Sequence, residues 1–434
     1  MRRPILVIGS GAREHQIAMM YQKSGYKVVV SPGNQGMTLD DIQIYPGTSL
    51  KDANSFLNAA KELNPELVDV AQDDALAAGT VDLLSKEFFV FGPTKEAAQI
   101  ESGKIWSREK QVKYGISTPE FEAFERENST SAIDYAFHLL RTNETVFFKA
   151  DGLYAGKGVI PARNEKDIEF ALHEINKMGD ASKRFLVEAG MVGEEFSFYV
   201  MCDGKNYLTF KSAQDNKRVW NGDNGPNTGG MGTNSPALVT TGIEDIITKT
   251  IIEPLINGLS NDGIEYKGII YFGGMKLTDG SVGVVEFNSR WGDPESQVVL
   301  PSIQNQYMEL ASHAIDGTLN EVQLRQDNLS RVCVVGASSG YPGDYAKGKE
   351  IFVDKQGFPK DAYFLSAGIN VKDNRMFTNG GRVFNIIGVG EDVIKARQNA
   401  MQGMACVTIE GNGLHYRTDI AWRDVQRVQQ QNYK

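Results

Sequence analysis

The first hundred residues alternate short runs of β-branched and other apolar residues with polar, helix-period stretches. ILVIG at 5–9, KVVVSPGN at 27–34, LVDV at 67–70 and FFVFGPT at 88–94 read as strands. Between the first two, REHQIAMMYQKSG places Ile17, Met20 and Tyr21 on one helical face. Strands spaced by helices predict a parallel α/β sheet. From Lys104 to about 325 the texture becomes α+β. IDYAFHLL and DIEFALHEI predict amphipathic helices, while TVFFK at 145–149 and VIPA at 159–162 predict two strands joined by DGLYAGKGV at 151–159. RFLVEAGMVGEEFSFYV predicts two more strands around a glycine-containing connection, and WNGDNGPNTGGMGTNSPA at 220–237 reads as a long loop with little apolar surface of its own. Beyond 329, VCVVGASSGYPGDY and FTNGGRVFNIIGV predict strands and turns, followed by a helix near 391–404. The expected domains are 1–103 (α/β), 104–325 (α+β) and 329–434 (small, β-rich, α+β).

A chain of 434 residues, 41% hydrophobic, is long enough for about three packed domains. Its net charge of −10 argues against general nucleic-acid or membrane-surface binding and leaves room for a local basic pocket. Cys202, Cys333 and Cys406 are too scattered for a disulfide framework or a zinc site, which fits a reducing cytoplasm. No apolar run has membrane-spanning length, and the start carries no secretory core.

Three stretches carry chemistry. GSGAREH at 9–15 is half a dinucleotide fingerprint with Glu14 in the place of the third glycine; its helix N-terminus and Arg13 offer a seat for a phosphate. DGLYAGKGV is not a Walker loop, because three residues rather than four precede its Gly-Lys pair and a strand follows. Its glycines can still bring backbone N–H groups close to phosphate oxygens. In VVEFNSRWGDPE at 284–295, Glu286, Asn288 and Arg290 alternate, which puts them on one face of an extended run. A carboxylate and an amide oxygen at that spacing suit Mg²⁺, and an arginine beside them suits a phosphoryl group or a carboxylate.

DGLYAGKGV, VEAGMVGEE, QDNKR, GPNTGGMG, EFNSRWGDPE, GYPGDY and TNGGRV occur in the order found in the glycinamide ribonucleotide synthetase family of ATP-grasp ligases, which the chain resembles from GSGAREH to RTDIAWR. The resemblance implies an N-terminal Rossmann-like domain, a central ATP-grasp domain with a mobile lid at about 122–190, and a small C-terminal domain. It implies that ATP phosphorylates glycine and that 5-phosphoribosylamine attacks the acyl phosphate, giving glycinamide ribonucleotide, ADP and phosphate. ATP would be held by Lys104, Lys149, Gly152, Gly156, Lys157 and Gly158, by the backbone from Glu188 to Met191, and by Glu194 at the ribose. Mg²⁺ or Mn²⁺ would sit on Glu286 and Asn288. Arg290, Lys149, Asp215 and Arg218 would act in catalysis. The substrate pocket would draw on Gly9, Ser10, Gly11, Arg13, Asn34, Asp215, Lys217, Arg218, Asn227, Gly229, Gly230, Arg290 and Asp293. The expected protein is a cytoplasmic monomer whose partners are small molecules. Gln72, Asp73, Asn216 and Ser366 depart from the family pattern beside the amine pocket, which leaves a different amine acceptor as the alternative.

Overall fold

The structure, a computed structural model, describes residues 2–154 and 158–432. Ile5–Gly9 is buried along its whole length at the centre of a five-stranded parallel sheet, in the order Gln43–Ile44, Val28–Pro32, Ile5–Gly9, Leu67–Val70, Val90–Phe91. Alternate residues feed two cores. Ile5 and Val7 pack with Ile17, Met20 and Tyr21 of the helix Ala12–Lys23, whereas Leu6 and Ile8 pack with Phe56 and Ala60 of Ala53–Leu63 on the other face. A strand covered on both faces has no solvent side, which is why these segments run as continuous apolar stretches.

The middle of the chain forms two antiparallel four-stranded sheets. One has the order Phe121–Glu125, Arg184–Ala189, Val146–Ala150, Val159–Ala162. The helices Ser129–Leu139 and Glu165–Lys177 cover it through Ala132, Ala136, Leu139, Ile168, Ala171 and Ile175. The other has the order Tyr207–Thr209, Gly193–Asp203, Lys267–Leu277, Val282–Asn288. Its Phe196, Phe198 and Phe272 face one core and its Tyr199 and Tyr271 another, so the two sides of this sheet are chemically distinct.

The last third is β-rich. Gln214–Asp215, Gly232–Ser235, Ser330–Ser338, Arg382–Gly390 and Ala362–Ser366 follow one another in an antiparallel sheet, with Leu414–His415 also paired to Ser330–Ser338. The helix Val393–Ala405 lies on it; at Gly388 a Cβ would stand 2.2 Å from Ala396 O, so only glycine lets the helix approach this closely. The expected long loop at 220–237 is instead partly ordered as strands. Asn224–Asn227 pairs with Arg218–Trp220 in a hairpin, and Gly232–Ser235 joins the C-terminal sheet. Backbone pairing with neighbours supplies the order that its own side chains could not, a contribution that composition does not register.

Candidate active site

The side chains expected to carry chemistry gather in the cleft between the two central sheets. Lys149, near the end of Val146–Ala150, pairs through Nζ with Glu188 Oε1 on the adjacent strand. Arg108, on the helix Lys104–Lys113, meets the same carboxylate with Nε 3.0 Å from Oε2 and Nη2 3.2 Å from Oε1. Burial pulls the Lys149 ammonium below its ordinary value and Arg108 adds to this, while Glu188 works against it. Burial pushes Glu188 up, but Arg108 and Lys149 outweigh it and hold the carboxyl below its usual range. Lys104 begins its helix with its own N–H on Asp151 O, and Gly152 N–H donates to Ala181 O. Gly158 O accepts from Ala150 N–H at the foot of the hairpin. Gly156 and Lys157 lie outside the described residues. Met191 packs against Gly283, where a Cβ would come within 2.3 Å of its sulfur.

On the facing sheet, register decides which side chains enter the cleft. Ser197 stands opposite Gly273, and Gly273 opposite Glu286, so Glu195, Ser197 and Glu286 share a face. Glu194 shares the other face with Phe196. Its carboxylate accepts from Gln214 Nε2 at 2.8 Å and pairs with Arg427 of the helix Trp422–Asn432. The residue expected at the ribose is therefore turned away from the cleft, and its neighbour Glu195 is turned into it. Glu195 Oε2 lies 2.9 Å from Lys217 Nζ, and that ammonium holds Glu195 below its usual range. Glu195, Ser197, Asp215, Lys217, Tyr271 and Gly273 line a small depression.

Beneath it, Glu295 Oε1 accepts from Ser197 Oγ at 3.2 Å and from Tyr271 OH at 2.9 Å. Asp215 Oδ1 is buried without a partner among the described residues, and burial followed by the nearby Glu295 charge raises its carboxyl well above the ordinary value.

Glu286 has no hydrogen bond or ion pair among the described residues. Burial pushes its carboxyl up, yet the charges of Lys217, Lys149, Lys104 and Arg290 together keep it below its usual range and ionised. An ionised carboxylate with free lone pairs, two residues from the Asn288 amide oxygen, fits Mg²⁺ that completes its shell with phosphate oxygens. Among the described residues no group of three or more His, Cys, Asp and Glu could hold a metal by itself. Arg290 falls just beyond the strand Val282–Asn288. Its Nη2 reaches Glu101 Oε1 at 2.7 Å and Asn288 Oδ1 at 3.1 Å, and its Nε is buried without a partner among the described residues. Glu101 in turn accepts from Ser289 N–H and Oγ, both at 2.9 Å.

A second set converges from the N-terminal side. Asn34 Nδ2 donates to Ser10 O at 2.8 Å, and a Cβ on Gly11 would stand 3.3 Å from Asp293 Oδ2. In the turn from Gly9 to Arg13, where a phosphate seat is expected, Glu14 closes a capping box. Glu14 Oε2 takes the Gly11 N–H at 2.7 Å and Glu14 Oε1 takes Arg13 Nε at 2.6 Å, so the carboxylate caps one donor of this helix N-terminus and orients Arg13. Arg382 joins the pieces, with Nη1 on Gly229 O at 2.7 Å and on Asp293 O at 2.6 Å, and Nη2 3.1 Å from Asp293 Oδ2. A Cβ on Gly230 would meet Asp215 Oδ1 at 2.9 Å. Arg218 Nη1 donates to Gly225 O within its hairpin, across from Asn227.

Of the departures from the family pattern, Gln72 caps a short helix through Asp74 N–H, and the Asp73 charge reaches the Arg290–Glu101 pair. Asn216 Oδ1 accepts from Ala421 N–H, and Ser366 Oγ lies 2.9 Å from His15 Nδ1, so both serve packing with the C-terminal third. Sequence reasoning missed Arg108, Glu101, Glu195, Glu295 and Arg382. The alternation in EEFSFYV marks Glu195, and the TNGGRV and EFNSRWGDPE motifs contain Arg382 and Glu295, but no local pattern marks Arg108 or Glu101.

Comparison with known proteins accounts for nearly the whole chain. Residues 3–101, 102–296 and 331–423 match the phosphoribosylglycinamide synthetase N domain, ATP-grasp (A) domain and C domain. A phosphoribosylamine–glycine ligase of Haemophilus influenzae is 38% identical over 98% of this chain and 99% of its own length. One from Ralstonia nicotianae is also 38% identical, over 98% of this chain and 100% of its own. The crystal structure of phosphoribosylamine–glycine ligase from Thermotoga maritima superposes with a TM-score of 0.80 at 31% identity, covering 96% of this chain and 100% of that one.

Proposed function

The chain belongs to the phosphoribosylglycinamide synthetase family, and from that membership we propose how its inter-sheet cleft divides the work of an ATP-dependent ligase. The enzyme joins glycine to 5-phosphoribosylamine and so forms glycinamide ribonucleotide, ADP and phosphate in purine biosynthesis. A glycine carboxylate oxygen attacks the γ-phosphorus of ATP and ADP leaves. The amine of phosphoribosylamine then attacks the carbonyl carbon of glycyl phosphate, loses a proton, and expels phosphate with the bridging oxygen.

The chemical demand is to bring anions together and hold the charge that builds between them. Lys149 and Lys104 take the phosphates, with Gly152, Gly156, Lys157 and Gly158 closing over them. The backbone from Glu188 to Met191 takes the adenine edge, and Glu195 takes the ribose hydroxyls, since strand parity turns it toward the cleft and Glu194 away. Glu286 and Asn288 hold Mg²⁺ or Mn²⁺, which when bound polarises the phosphoryl oxygens. Arg290, braced by Glu101, presents its unpartnered Nε to the transferring group. Asp215 and Lys217 bracket glycine through its ammonium and carboxylate. Arg218, Asn227, Gly229 and Gly230 frame the phosphoribose with Asn34, Asp293 and the turn from Gly9 through Ser10 and Gly11 to Arg13. The enzyme works as a monomer in the cytoplasm, a reducing compartment that suits free Cys202, Cys333 and Cys406. Among the described residues no helix is long and apolar enough to cross a membrane.

The observation that carries this reading is the Glu286 carboxylate, ionised, unbonded among the described residues and surrounded by Lys217, Lys149, Lys104 and Arg290. The test follows ADP release with glycine or freshly made phosphoribosylamine omitted in turn, and then with ¹⁸O in the glycine carboxylate. Labelled phosphate and ADP are expected. AMP as the stoichiometric product, or ADP release that ignores both substrates, would overturn the assignment of roles.

A further inference from the structure

Arg108 is 3% exposed, and all five of its N–H donors are used. Nε and one Nη2 donor grip Glu188. The other Nη2 donor reaches Val285 O at 2.9 Å, and Nη1 reaches Gln111 Oε1 at 2.7 Å and Val284 O at 3.1 Å. Its helix, Lys104–Lys113, belongs to neither sheet, yet the guanidinium bonds to the sheet that carries Lys149 and to the strand that carries Glu286. Two buried cations thus face one carboxylate, and they are held unequally. Arg108 is fixed by five bonds, whereas the Lys149 ammonium, on a flexible four-carbon stem, pairs with Glu188 alone among the described residues.

We propose that Arg108 is the resident counter-ion of Glu188, and that by staying with this carboxylate it releases the Lys149 ammonium to a nucleotide phosphate. The proposal rests on the reading of Lys149 as a phosphate ligand. Without Arg108, every departure of Lys149 toward a phosphate would strand a buried carboxylate, which is among the costliest events inside a protein. With Arg108, two cations on one carboxylate leave a surplus positive charge in the cleft. An arriving anion neutralises it. The role is one of positioning, since Arg108 acts on the nucleotide only through Glu188 and Lys149.

The test measures MgATP affinity by titration calorimetry for the wild type, Arg108→Gln, Arg108→Gln with Glu188→Gln, Arg108→Lys and Lys149→Met, each checked for folding by circular dichroism. Arg108→Gln should weaken ATP binding roughly tenfold or more, because Glu188 then retains Lys149. Adding Glu188→Gln should restore affinity to within about threefold of the wild type, since the competing charge is gone. A residue that only braces the fold would not be rescued by removing a second buried partner. If Arg108→Gln does not fold, Arg108→Lys with and without Glu188→Gln carries the same comparison, with a smaller loss and the same rescue. A double variant that binds no better than the single one overturns the proposal. Wild-type affinity in Lys149→Met instead removes the phosphate role of Lys149 on which it rests.

Discussion

Replacing Arg290 by lysine preserves the charge and removes the fork. The guanidinium reaches Glu101 Oε1 at 2.7 Å, Asn288 Oδ1 at 3.1 Å and Trp291 O at 3.1 Å, from two nitrogens that point in different directions. A single ammonium can hold the carboxylate but not the whole set. Glu101 would not be stranded, because Ser289 still donates to it twice. The structural loss is therefore about two hydrogen bonds, on the order of 1–3 kcal/mol of stability. The catalytic loss is separate. In the proposed role Nε, buried without a partner among the described residues, would serve an anion that develops during phosphoryl transfer. Removing one such donor costs about 100-fold or more in turnover, roughly 3 kcal/mol. Steady-state ADP release linked to NADH oxidation should show that fall in kcat, while urea denaturation shows a folded protein within about 3 kcal/mol of the wild type. A kcat within about threefold of the wild type would mean that Arg290 only braces Glu101 and Asn288.

Glu286→Gln should leave the fold intact and raise the Mg²⁺ concentration needed for half-maximal activity at least about tenfold, because a neutral amide is a poorer ligand for a hard cation; an unchanged metal titration would move the metal site elsewhere. Glu195→Gln should raise the KM for ATP more than the KM for 2′-deoxyATP or 3′-deoxyATP, whereas Glu194→Gln should treat all three alike; the reverse pattern would contradict the strand parity drawn from Ser197, Gly273 and Glu286. Asp69 gives a pH prediction. Burial pushes its carboxyl from 3.8 to about 7 despite the Tyr21 hydroxyl 2.8 Å away, so the folded state binds a proton that the unfolded state has already released. Stability should then fall as pH rises from about 4 to about 7, by roughly 4 kcal/mol from this group. Asp69→Asn should flatten that slope in urea melts, and an equal slope in both proteins would show that Asp69 is ionised throughout.

The parts of the molecule that were legible in the sequence are those where one local rule acts alone. ILVIG reads as a doubly covered strand because no polar residue interrupts it, and Ile17, Met20 and Tyr21 read as a helical face because 3.6-residue periodicity needs nothing else. Glu195 was equally legible. In EEFSFYV the phenylalanines at 196 and 198 mark the core side, so parity assigns Glu195 to the side of Ser197. Glu14 was less legible for a different reason. It stands where a dinucleotide fingerprint has its third glycine, and its carboxylate caps the Gly11 N–H and holds Arg13, a role that only the folded turn displays. Arg108 and Glu101 were beyond reach, because ion pairs between residues 80 or more positions apart leave no periodic trace.

The net charge of −10 would seem a poor setting for a reaction among anions, and the structure shows why the sum misleads. Around Glu286 stand Lys217, Lys149, Lys104 and Arg290; Glu188 is shared between Lys149 and the fixed Arg108, and Glu101 pairs with Arg290 while also accepting from Ser289. Glu286 itself is kept ionised by those cations while remaining free to bind one more. Within a low-dielectric cleft the nearest few charges dominate, whereas exposed carboxylates beyond a Debye length of roughly 8 Å are largely screened. An acidic surface and a phosphate-accepting cleft are therefore compatible, and substitutions that disturb the buried partners of the cleft cations should change ATP affinity far more than removal of distant surface carboxylates.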